Sequence, residues 1–317
     1  MGAGLGAAAV AQDDDPIGGA DGRQAVGDDQ RGAVAAGGGR CRFSDVSDIR
    51  LLGPEDLPLC KRLESDRGWA TDEAKWRLMF EAGEVYAVDA ADGDGLAGCV
   101  VVTLYGETLA AVGMMLVATR YGRQGLGTRL MEHALEVAGD RVVELTATRF
   151  GRPVYERLGF RQAGTLTIAS GPMRGTAPSP AVRVATPHDH AALLALDAEV
   201  TGADRSKALT ALLSSAERAV VTDGGYAVAR NAGPHRVIGP VVAPSEEAAR
   251  DLILAAAHGA DRDVRIDLLD AYPGLRPWIA GLGPAQGPSA LPTMVYGAGR
   301  PPGDRGRYVA PILISMG

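Results

Sequence analysis

The second half of this chain repeats the first half in shortened form. Three segments recur in the same order: IRLLGPED (49–56) as VRVATPHD (182–189), LVAT (116–119) as VVAP (241–244), and RPVYERLGFRQ (152–162) as RPWIAGLGPAQ (276–286). The offset between the copies falls from 133 to 124 residues, as small deletions in loops would produce. An internal repeat of this length predicts two similar structural units in tandem.

The order of the predicted elements in the first half indicates a mixed α/β fold. Hydrophobic periodicity and turn signals predict, in chain order, a strand at 49–52, helices at 55–66 and 71–82, strands at 84–89, 96–105 and 108–118, a Gly-rich loop leading into a helix within 121–139, a strand at 141–148 and a helix at 152–158. The three consecutive strands are joined by short turn sequences, which indicates an antiparallel meander. We expect each unit to be a mostly antiparallel sheet flanked by helices.

Shifts in composition mark the borders of the two units. Residues 1–40 contain 21 Gly and Ala residues and no aromatic residue, which predicts a disordered extension. The segment 169–180 is rich in Pro, Gly and Ser, which is typical of a linker. We accordingly expect one domain at 41–168, a second domain at 181–298, and a C-terminal tail at 299–317.

Charge and composition exclude several classes of partner. The formal net charge is −7, the pI is near 5.3 and aromatic residues make up 5%, so we expect no nucleic-acid partner. No apolar run reaches the roughly 18 residues of a membrane span, so we expect no membrane partner. Three widely spaced cysteines (Cys41, Cys60 and Cys99) without a CxxC pair fit a reducing cytoplasm and predict neither a disulfide framework nor a metal site.

The sequence Arg-Gln-Gly-Leu-Gly-Thr at 123–128 links a predicted strand to a predicted helix. Gly125 and Gly127 allow backbone N–H groups to converge, and the helix N-terminus adds partial positive charge, so the loop suits a pyrophosphate. An ordinary strand-to-helix turn is the alternative interpretation. A P-loop does not fit because no Lys follows Gly127, and a Rossmann loop would follow the first strand of a βαβ unit rather than a meander.

This order of elements, together with two motifs, resembles the GNAT superfamily of acyl-CoA N-acyltransferases. The motifs are LVA (116–118) followed by RQGLGT (123–128), and YERLGF (155–160), which is similar to the YxxxGF signature after the family's fifth strand. The resemblance covers about residues 42–168. It implies a sheet with a V-shaped splay and transfer of an acyl group, most simply acetyl from acetyl-CoA, to a primary amine by direct attack in a ternary complex.

The resemblance also implies roles for individual residues. In the family the fourth strand separates at a bulge and pairs with the pantetheine arm, a role that falls here to Leu116, Val117 and Ala118, and the Val117 N–H would stabilise the oxyanion. The pyrophosphate would be held by Arg123, Gln124, Gly125, Leu126, Gly127 and Thr128. Tyr155 would contact the cofactor and protonate the departing CoA thiolate as general acid. Simple packing of Tyr155 against the sheet is the alternative.

Two positions depart from the family pattern, and the general base is open. The family has Arg or Gln three residues before the first loop glycine, where this chain has Gly122 followed by Arg123. Seven residues before the tyrosine, the family often has a cofactor-contacting Asn, where this chain has Thr148. Glu144 on the fifth strand is the candidate general base, and Glu107 or a water-mediated proton transfer is the alternative.

The second copy has lost the residues that carry chemistry in the first. Ile279 stands in place of Tyr155, and Pro284 stands in place of Phe160. The Gly-rich loop is shortened by three residues and replaced by Ser-Glu-Glu at 245–247, whose carboxylates would repel a phosphate. This pattern resembles tandem GNAT proteins with a degenerate C-terminal domain.

Three functions fit these features. The first is acetyl-CoA-dependent N-acetylation of a small-molecule amine. The second is a non-catalytic acyl-CoA sensor or scaffold, which the departures at Gly122 and Thr148 favour. The third is acetylation of protein lysines, because an acidic protein attracts cationic acceptors of either size.

Overall fold

The computed structural model describes residues 48–174, 179–287 and 290–317. The predicted disordered extension at 1–40 and Cys41 lie outside the described residues. The first half contains β1 (Arg50–Leu51), α1 (Leu57–Asp66), α2 (Glu73–Ala82), β2 (Glu84–Asp89), β3 (Leu96–Tyr105), β4 (Leu109–Val117), α3 (Leu126–Ala138), β5 (Val142–Thr146), α4 (Arg152–Arg157) and β6 (Arg161–Gly171). β6 therefore takes up the first three residues of the segment predicted as a linker at 169–180.

The second half repeats this order of elements. It contains β7 (Arg183–Val184), α5 (His190–Thr201), α6 (Ser206–Ser215), β8 (Arg218–Thr222), β9 (Gly225–Ala232), β10 (His235–Val242), α7 (Glu246–Ala257), β11 (Asp263–Leu269), α8 (Leu275–Leu282), β12 (Ala285–Gln286), β13 (Leu291–Tyr296) and β14 (Tyr308–Ala310). The predicted mixed α/β fold in two copies is confirmed. Among the described residues, no helix is both long enough and apolar enough to cross a membrane.

The same ion pair closes the first turn of each copy. Arg50 donates to Asp56 with both Nη atoms at 3.1 Å, and Arg183 donates to Asp189 at 2.8 and 2.6 Å. Each aspartate also accepts the backbone N–H three residues before it, at 3.0 Å from Gly53 and at 2.7 Å in the second copy. The paired Arg and Asp of the sequence repeat thus perform one structural task twice.

The two halves share one sheet instead of forming two. Fourteen strands of the described chain belong to it, and its main path runs β1-β2-β3-β4-β5-β13-β6-β11-β10-β9-β8-β7. β13 of the second half pairs with β5 of the first half, and β6 of the first half pairs with β11 of the second half, all antiparallel. Because each half gives one strand to the other, the two domains are interlocked through their backbones.

The segment 299–317, predicted as a C-terminal tail, is built into the core. β14 pairs with β10, and the residues after it contact both halves: the Pro311 carbonyl lies against Gly239, and the Met316 carbonyl accepts the Tyr105 hydroxyl. Tyr308, Val309, Ala310, Ile312 and Met316 are each at most 1% exposed. The prediction of a tail was wrong because these apolar residues cover the shared sheet.

A buried charged cluster holds the C-terminal segment in place. Arg205, which is 1% exposed, donates to both carboxylate oxygens of Asp197 at 2.9 and 2.7 Å. It also donates to the Tyr308 hydroxyl at 2.6 Å and to the Gly317 carbonyl at 3.0 Å. Asp197 further accepts from the Tyr226 hydroxyl. Since a buried charge is stable only when paired, this cluster fixes α5, α6, β9 and β14 relative to one another.

Candidate active site

β4 and β5 form a V-shaped splay. They pair in parallel only from Leu109 to Ala111 on β4 and from Val142 to Glu144 on β5. Beyond Ala111, β4 stays paired with β3 on its other edge as far as Val117. The edge of β4 that faces β5 is therefore unpaired within the described chain, and Glu144 lies where the two strands separate.

A bulge at Met114 accompanies the splay. Val101 is aligned with Gly113, but Cys99 is aligned with Leu116, so β4 has one more residue than β3 over this interval. Met114 has φ +47°, a left-handed conformation that is uncommon for a residue with a side chain. Bulges bend a strand and redirect its backbone groups, so this one turns β4 away from β5.

The Val117 N–H faces the splay. The Ala118 N–H donates to the Ala97 carbonyl on β3 at 2.9 Å, so Ala118 uses this group within the sheet. Because backbone groups alternate between the two edges of a strand, the N–H of Val117 points to the opposite, unpaired edge. Leu116 is aligned with Cys99 of β3. Met115, two residues before Val117, shares its edge. From sequence, Met115 was interpreted as either core or lining of the cofactor groove, because the motif does not determine the register of the bulge.

The Gly-rich loop leaves the N-terminus of α3 uncapped by any side chain. Gly125 is the N-cap residue, with φ +87° and no side-chain hydrogen bond to the first turn. The N–H groups of this turn therefore have no side-chain acceptor, which is the condition for binding an anion. Arg123 has φ +61° and is exposed, so its guanidinium is on the surface of the loop.

The other loop residues have distinct environments. The Gln124 side chain donates to the Arg120 carbonyl at 3.2 Å. Leu126 is buried in the core, whereas Thr128 is half-buried. Gly127 lies against β4: a Cβ added to it would be 3.5 Å from the Met115 side chain and 3.7 Å from that of Val117. The loop thus packs directly on the splayed strand.

Tyr155 lies on α4 and is buried. It is 7% exposed, and burial raises the pKa of its hydroxyl to about 12. Within the part of the chain that the structure describes, this hydroxyl makes no hydrogen bond. Its ring centroid lies 5.9 Å from that of Phe160. A phenol with this pKa is fully protonated at neutral pH and could donate a proton.

Thr148 is engaged locally. Its hydroxyl accepts the Gly151 N–H at 3.0 Å, and its carbonyl accepts the Arg152 N–H at 2.9 Å. These bonds hold the start of α4, on which Tyr155 lies. Thr148 therefore has a structural task beside the cofactor contact that the family resemblance implies.

Glu144 lines a cavity of about 310 Å³ at the joint between the halves. The cavity is bounded by β5, β6, β13, the end of β11 and the C-terminal segment. Arg305 of the second half lies 2.9 Å from Glu144, between Nη2 and Oε2. Tyr155 is not among the lining residues, so Glu144 and Tyr155 do not share this cavity. No sequence signal connects Glu144 with Arg305, which is 161 positions away.

The other candidate base, Glu107, lines neither this cavity nor the larger depression along α1 and α2. Glu107 has a side chain that is 94% exposed and is paired only loosely with Arg141 at 3.6 Å. A larger surface depression of about 1150 Å³ lies along α1 and α2, but none of the predicted site residues lines it. The geometry therefore favours Glu144 over Glu107.

The second half has the same splay, but its own chain fills it. β10 pairs in parallel with β11 from His235 to Ile238, and β14 then pairs with β10 at Val241 and Val242. The N-terminus of α7 is also occupied, because the Ser245 hydroxyl accepts the Ala248 N–H at 3.2 Å. The second copy thus has neither an open splay nor an uncapped helix.

Comparison with known proteins agrees with this geometry. A profile described as "Acetyltransferase (GNAT) family" matches residues 55–160, and one described as "Acetyltransferase (GNAT) domain" matches residues 193–310. The chain is 27% identical over 252 residues to the uncharacterized N-acetyltransferase YitH of Bacillus subtilis (strain 168), covering 75% of this chain and 88% of YitH.

Two solved structures share the fold. A candidate acetyltransferase from Pyrococcus horikoshii superposes with a TM-score of 0.72 at 18% identity, covering 87% of this chain and 98% of that chain. A tandem GNAT protein from the clavulanic acid biosynthesis pathway superposes with a TM-score of 0.55 at 14% identity, covering 79% and 98%. With two matching domains, an open splay in the first and a filled one in the second, the chain belongs to the GNAT superfamily of N-acyltransferases, as a tandem protein with a degenerate C-terminal domain.

Proposed function

We propose that this protein is an acetyl-CoA-dependent N-acetyltransferase that acts on the primary amine of a small molecule. The observation that carries the proposal is the arrangement along β4. The uncapped N-terminus of α3 lies at one end of its unpaired edge, and Glu144 with its cavity lies at the other end. A phosphate-binding end and an amine-binding end are thereby joined by one strand.

The residues present fit an acyl-CoA. The backbone N–H groups of the loop 123–128 would hold the pyrophosphate, with the exposed Arg123 and the Thr128 hydroxyl as further contacts. The unpaired edge of β4 at Val117 and Met115 would hydrogen-bond the pantetheine arm. When bound, acetyl-CoA supplies an activated acetyl thioester.

Three groups of the chain would then act on the transfer. Glu144 accepts a proton from the acceptor ammonium, which frees its electron pair to form the C–N bond. The Val117 N–H donates to the thioester oxygen as negative charge develops there. Tyr155 donates its proton to the sulfur as the C–S bond breaks, so the products are an N-acetyl amine and CoA thiol. The nitrogen loses its second proton as the tetrahedral intermediate collapses, and this proton passes through solvent to Tyr155, which is thereby reprotonated. Glu144 then releases the first proton to solvent, so one proton is released per transfer.

The chain would bind one acyl-CoA, in its first half. β14 fills the splay of the second half and Ser245 caps α7, so the second half would serve as a structural partner. The buried thiols of Cys60 and Cys99 are free, which fits activity in a reducing cytoplasm.

The test is a calorimetric titration with acetyl-CoA, followed by a CoA-release assay with a panel of small amines. Binding of one equivalent together with amine-dependent release of CoA supports the proposal. Binding of one equivalent without release for any amine, including lysine-bearing proteins, overturns it in favour of the acyl-CoA sensor. That alternative is favoured by Thr148, whose hydroxyl is already engaged with the backbone at Gly151.

A further inference from the structure

The cavity beside Glu144 belongs to both halves of the chain. β5 and β6 of the first half line it together with Met294 on β13, Leu269 at the end of β11, and Arg305 and Tyr308 of the C-terminal segment. Arg305 is held in place because its Nε donates to the Pro302 carbonyl at 2.9 Å and its guanidinium carbon lies 5.3 Å from the Tyr308 ring centroid. The second half therefore supplies one wall of the cavity and its one positive lining side chain among the described residues.

Two buried polar atoms in this cavity lack hydrogen-bond partners. Glu144 is 9% exposed, and its Oε1 accepts no hydrogen bond within the described residues. Arg305 Nη2 is likewise buried and makes no hydrogen bond there, although it lies within ion-pair distance of Glu144. A buried polar atom without a hydrogen-bond partner is energetically unfavourable, so a ligand that provides one donor and one acceptor would be stabilised at both atoms.

At the opposite end of the cavity, the Asp270 carboxylate already has hydrogen-bond and ion-pair partners. Asp270 accepts the Thr165 N–H at 2.7 Å and the Thr165 hydroxyl at 2.6 Å, and it is paired with Arg276. A second ammonium group would find no unpaired carboxylate side chain at this end. Diamines and polyamines are therefore poor fits for the cavity.

The remaining walls are largely apolar. They include Leu145, Leu166, Leu269, Met294 and Ile314. A cavity of about 310 Å³ is at the small end of the range for ligand sites. The ligand that matches these features is small, with an ammonium group, an adjacent oxygen acceptor and an apolar side chain.

We infer that the acceptor is a free amino acid with an apolar side chain, bound as a zwitterion between Glu144 and Arg305. This inference rests on the proposed function and names its substrate class. The ammonium donates to Glu144 Oε1, the carboxylate accepts from Arg305 Nη2, and the side chain packs on the apolar walls. Two ion pairs with the ligand then replace one internal pair.

The test measures binding to the full chain without acyl-CoA, so it does not depend on catalysis. Leucine is compared by calorimetry with 3-methylbutylamine, which lacks the carboxylate, and with 4-methylpentanoate, which lacks the amine. Phenylalanine and methionine are each compared in the same way with the analogue that lacks the carboxylate and the analogue that lacks the amine. Putrescine is the test diamine, and we expect it to bind weakly. We expect the amino acids to bind about tenfold or more tightly than each truncated analogue, as the loss of one charged contact predicts.

Two variants locate the contacts. Glu144→Gln is expected to weaken leucine binding but to spare 4-methylpentanoate, and Arg305→Gln is expected to weaken leucine but to spare 3-methylbutylamine. Arg305→Lys, which keeps the charge, should restore part of the affinity. Equal binding of amino acid and decarboxylated amine, unchanged binding of leucine by Arg305→Gln, or no binding of any amino acid overturns the inference. If the native protein binds leucine but releases no CoA in the presence of acetyl-CoA and an amine, the proposed function is contradicted and the inference about the amino-acid site is not.

Discussion

Arg305 Nη2 in the second half lies 2.9 Å from Glu144 Oε2 in the first half, and both residues line a cavity that neither half encloses alone. The second copy has a filled splay and no Gly-rich loop, yet it places a cation beside the carboxylate of the first copy. A degenerate domain can therefore still supply one wall of a cavity that borders the other domain. Glu144 on β5 is aligned with Val295 of β13, and the chain that follows β13 leads to Arg305.

The two members of this pair should be energetically coupled, because removing one of them leaves the other buried without its partner. We expect Arg305→Gln to lower the free energy of unfolding by about 1–3 kcal/mol, because Glu144 is left buried without a partner. The double variant with Glu144→Gln should lose less than the sum of the single variants. Urea denaturation of the four proteins measures the coupling.

A matched surface pair provides the control for that cycle. Arg307 lies 2.7 Å from Glu199, whose side chain is 66% exposed. Because exposed pairs contribute about 0–1 kcal/mol, Arg307→Gln combined with Glu199→Gln should show little coupling. Equal coupling in both cycles would mean that burial at Glu144 has no energetic effect.

Tyr155→Phe should lower turnover without altering acyl-CoA affinity. General acid catalysis contributes about 10²–10⁴-fold, so a loss of at least about 100-fold in kcat is expected at neutral pH. The ring keeps its packing on Phe160, so the fold should be unaffected. Steady-state kinetics and calorimetric titration with acetyl-CoA check the two effects, and equal turnover in both proteins would remove Tyr155 from the mechanism.

The same variant should also change how the free energy of unfolding depends on pH in the alkaline range. Burial raises the pKa of Tyr155 to about 12, above the usual value near 10, so above pH 10 the unfolded chain loses this proton before the folded chain does. The contribution of Tyr155 to stability is therefore complete below pH 10 and declines as the pH rises towards 12. Denaturation at pH 8 and pH 11 should show that the free energy of unfolding falls less between these two pH values for Tyr155→Phe than for the native protein. An identical loss in both proteins would show that Tyr155 titrates normally.

Much of the first half could be predicted from sequence because its signals are local. The strands predicted at 84–89 and 96–105 coincide with β2 and β3, since alternation and turn residues fix such elements within a few positions. The Gly-rich loop was also a local pattern, and so was the loss of the equivalent loop at 245–247. Each of these features depends on residues that are neighbours in the chain.

The exchange of β6 and β13 could not be predicted because it depends on long-range pairing. Because the two copies are similar, the strand that follows α4 and the strand that follows α8 could each pair with either β5 or β11. The hydrophobic pattern alone does not choose between these pairings. The ion pair between Glu144 and Arg305 follows from this exchange. The apolar run at 308–316 was an available signal against a tail, because nine residues with few polar groups are rarely left exposed.

Charge reversal in the loop should weaken acyl-CoA binding while leaving the fold intact. The double variant Arg123→Glu, Gln124→Glu places two carboxylates beside the N-terminus of α3, as the second copy does naturally beside α7. We expect an increase in Kd of about tenfold or more, because the two introduced carboxylates would repel the pyrophosphate of acetyl-CoA at the N-terminus of α3. Calorimetry measures Kd, and an unchanged melting temperature shows that the fold is intact. An unchanged Kd would exclude the loop as the phosphate site.

The reverse change in the second half should not create a second site. Ser245→Gly with Glu247→Gln removes the cap of α7 and one of its two first-turn carboxylates, so the helix N-terminus becomes similar to that of α3. The splay stays closed, however, because β14 is hydrogen-bonded to β10 and the Ala243 N–H donates to the Arg307 carbonyl at 3.0 Å. We therefore expect the stoichiometry of acetyl-CoA to stay at one per chain. Two equivalents would show that the loop alone, and not the filled splay, prevents binding in the second half.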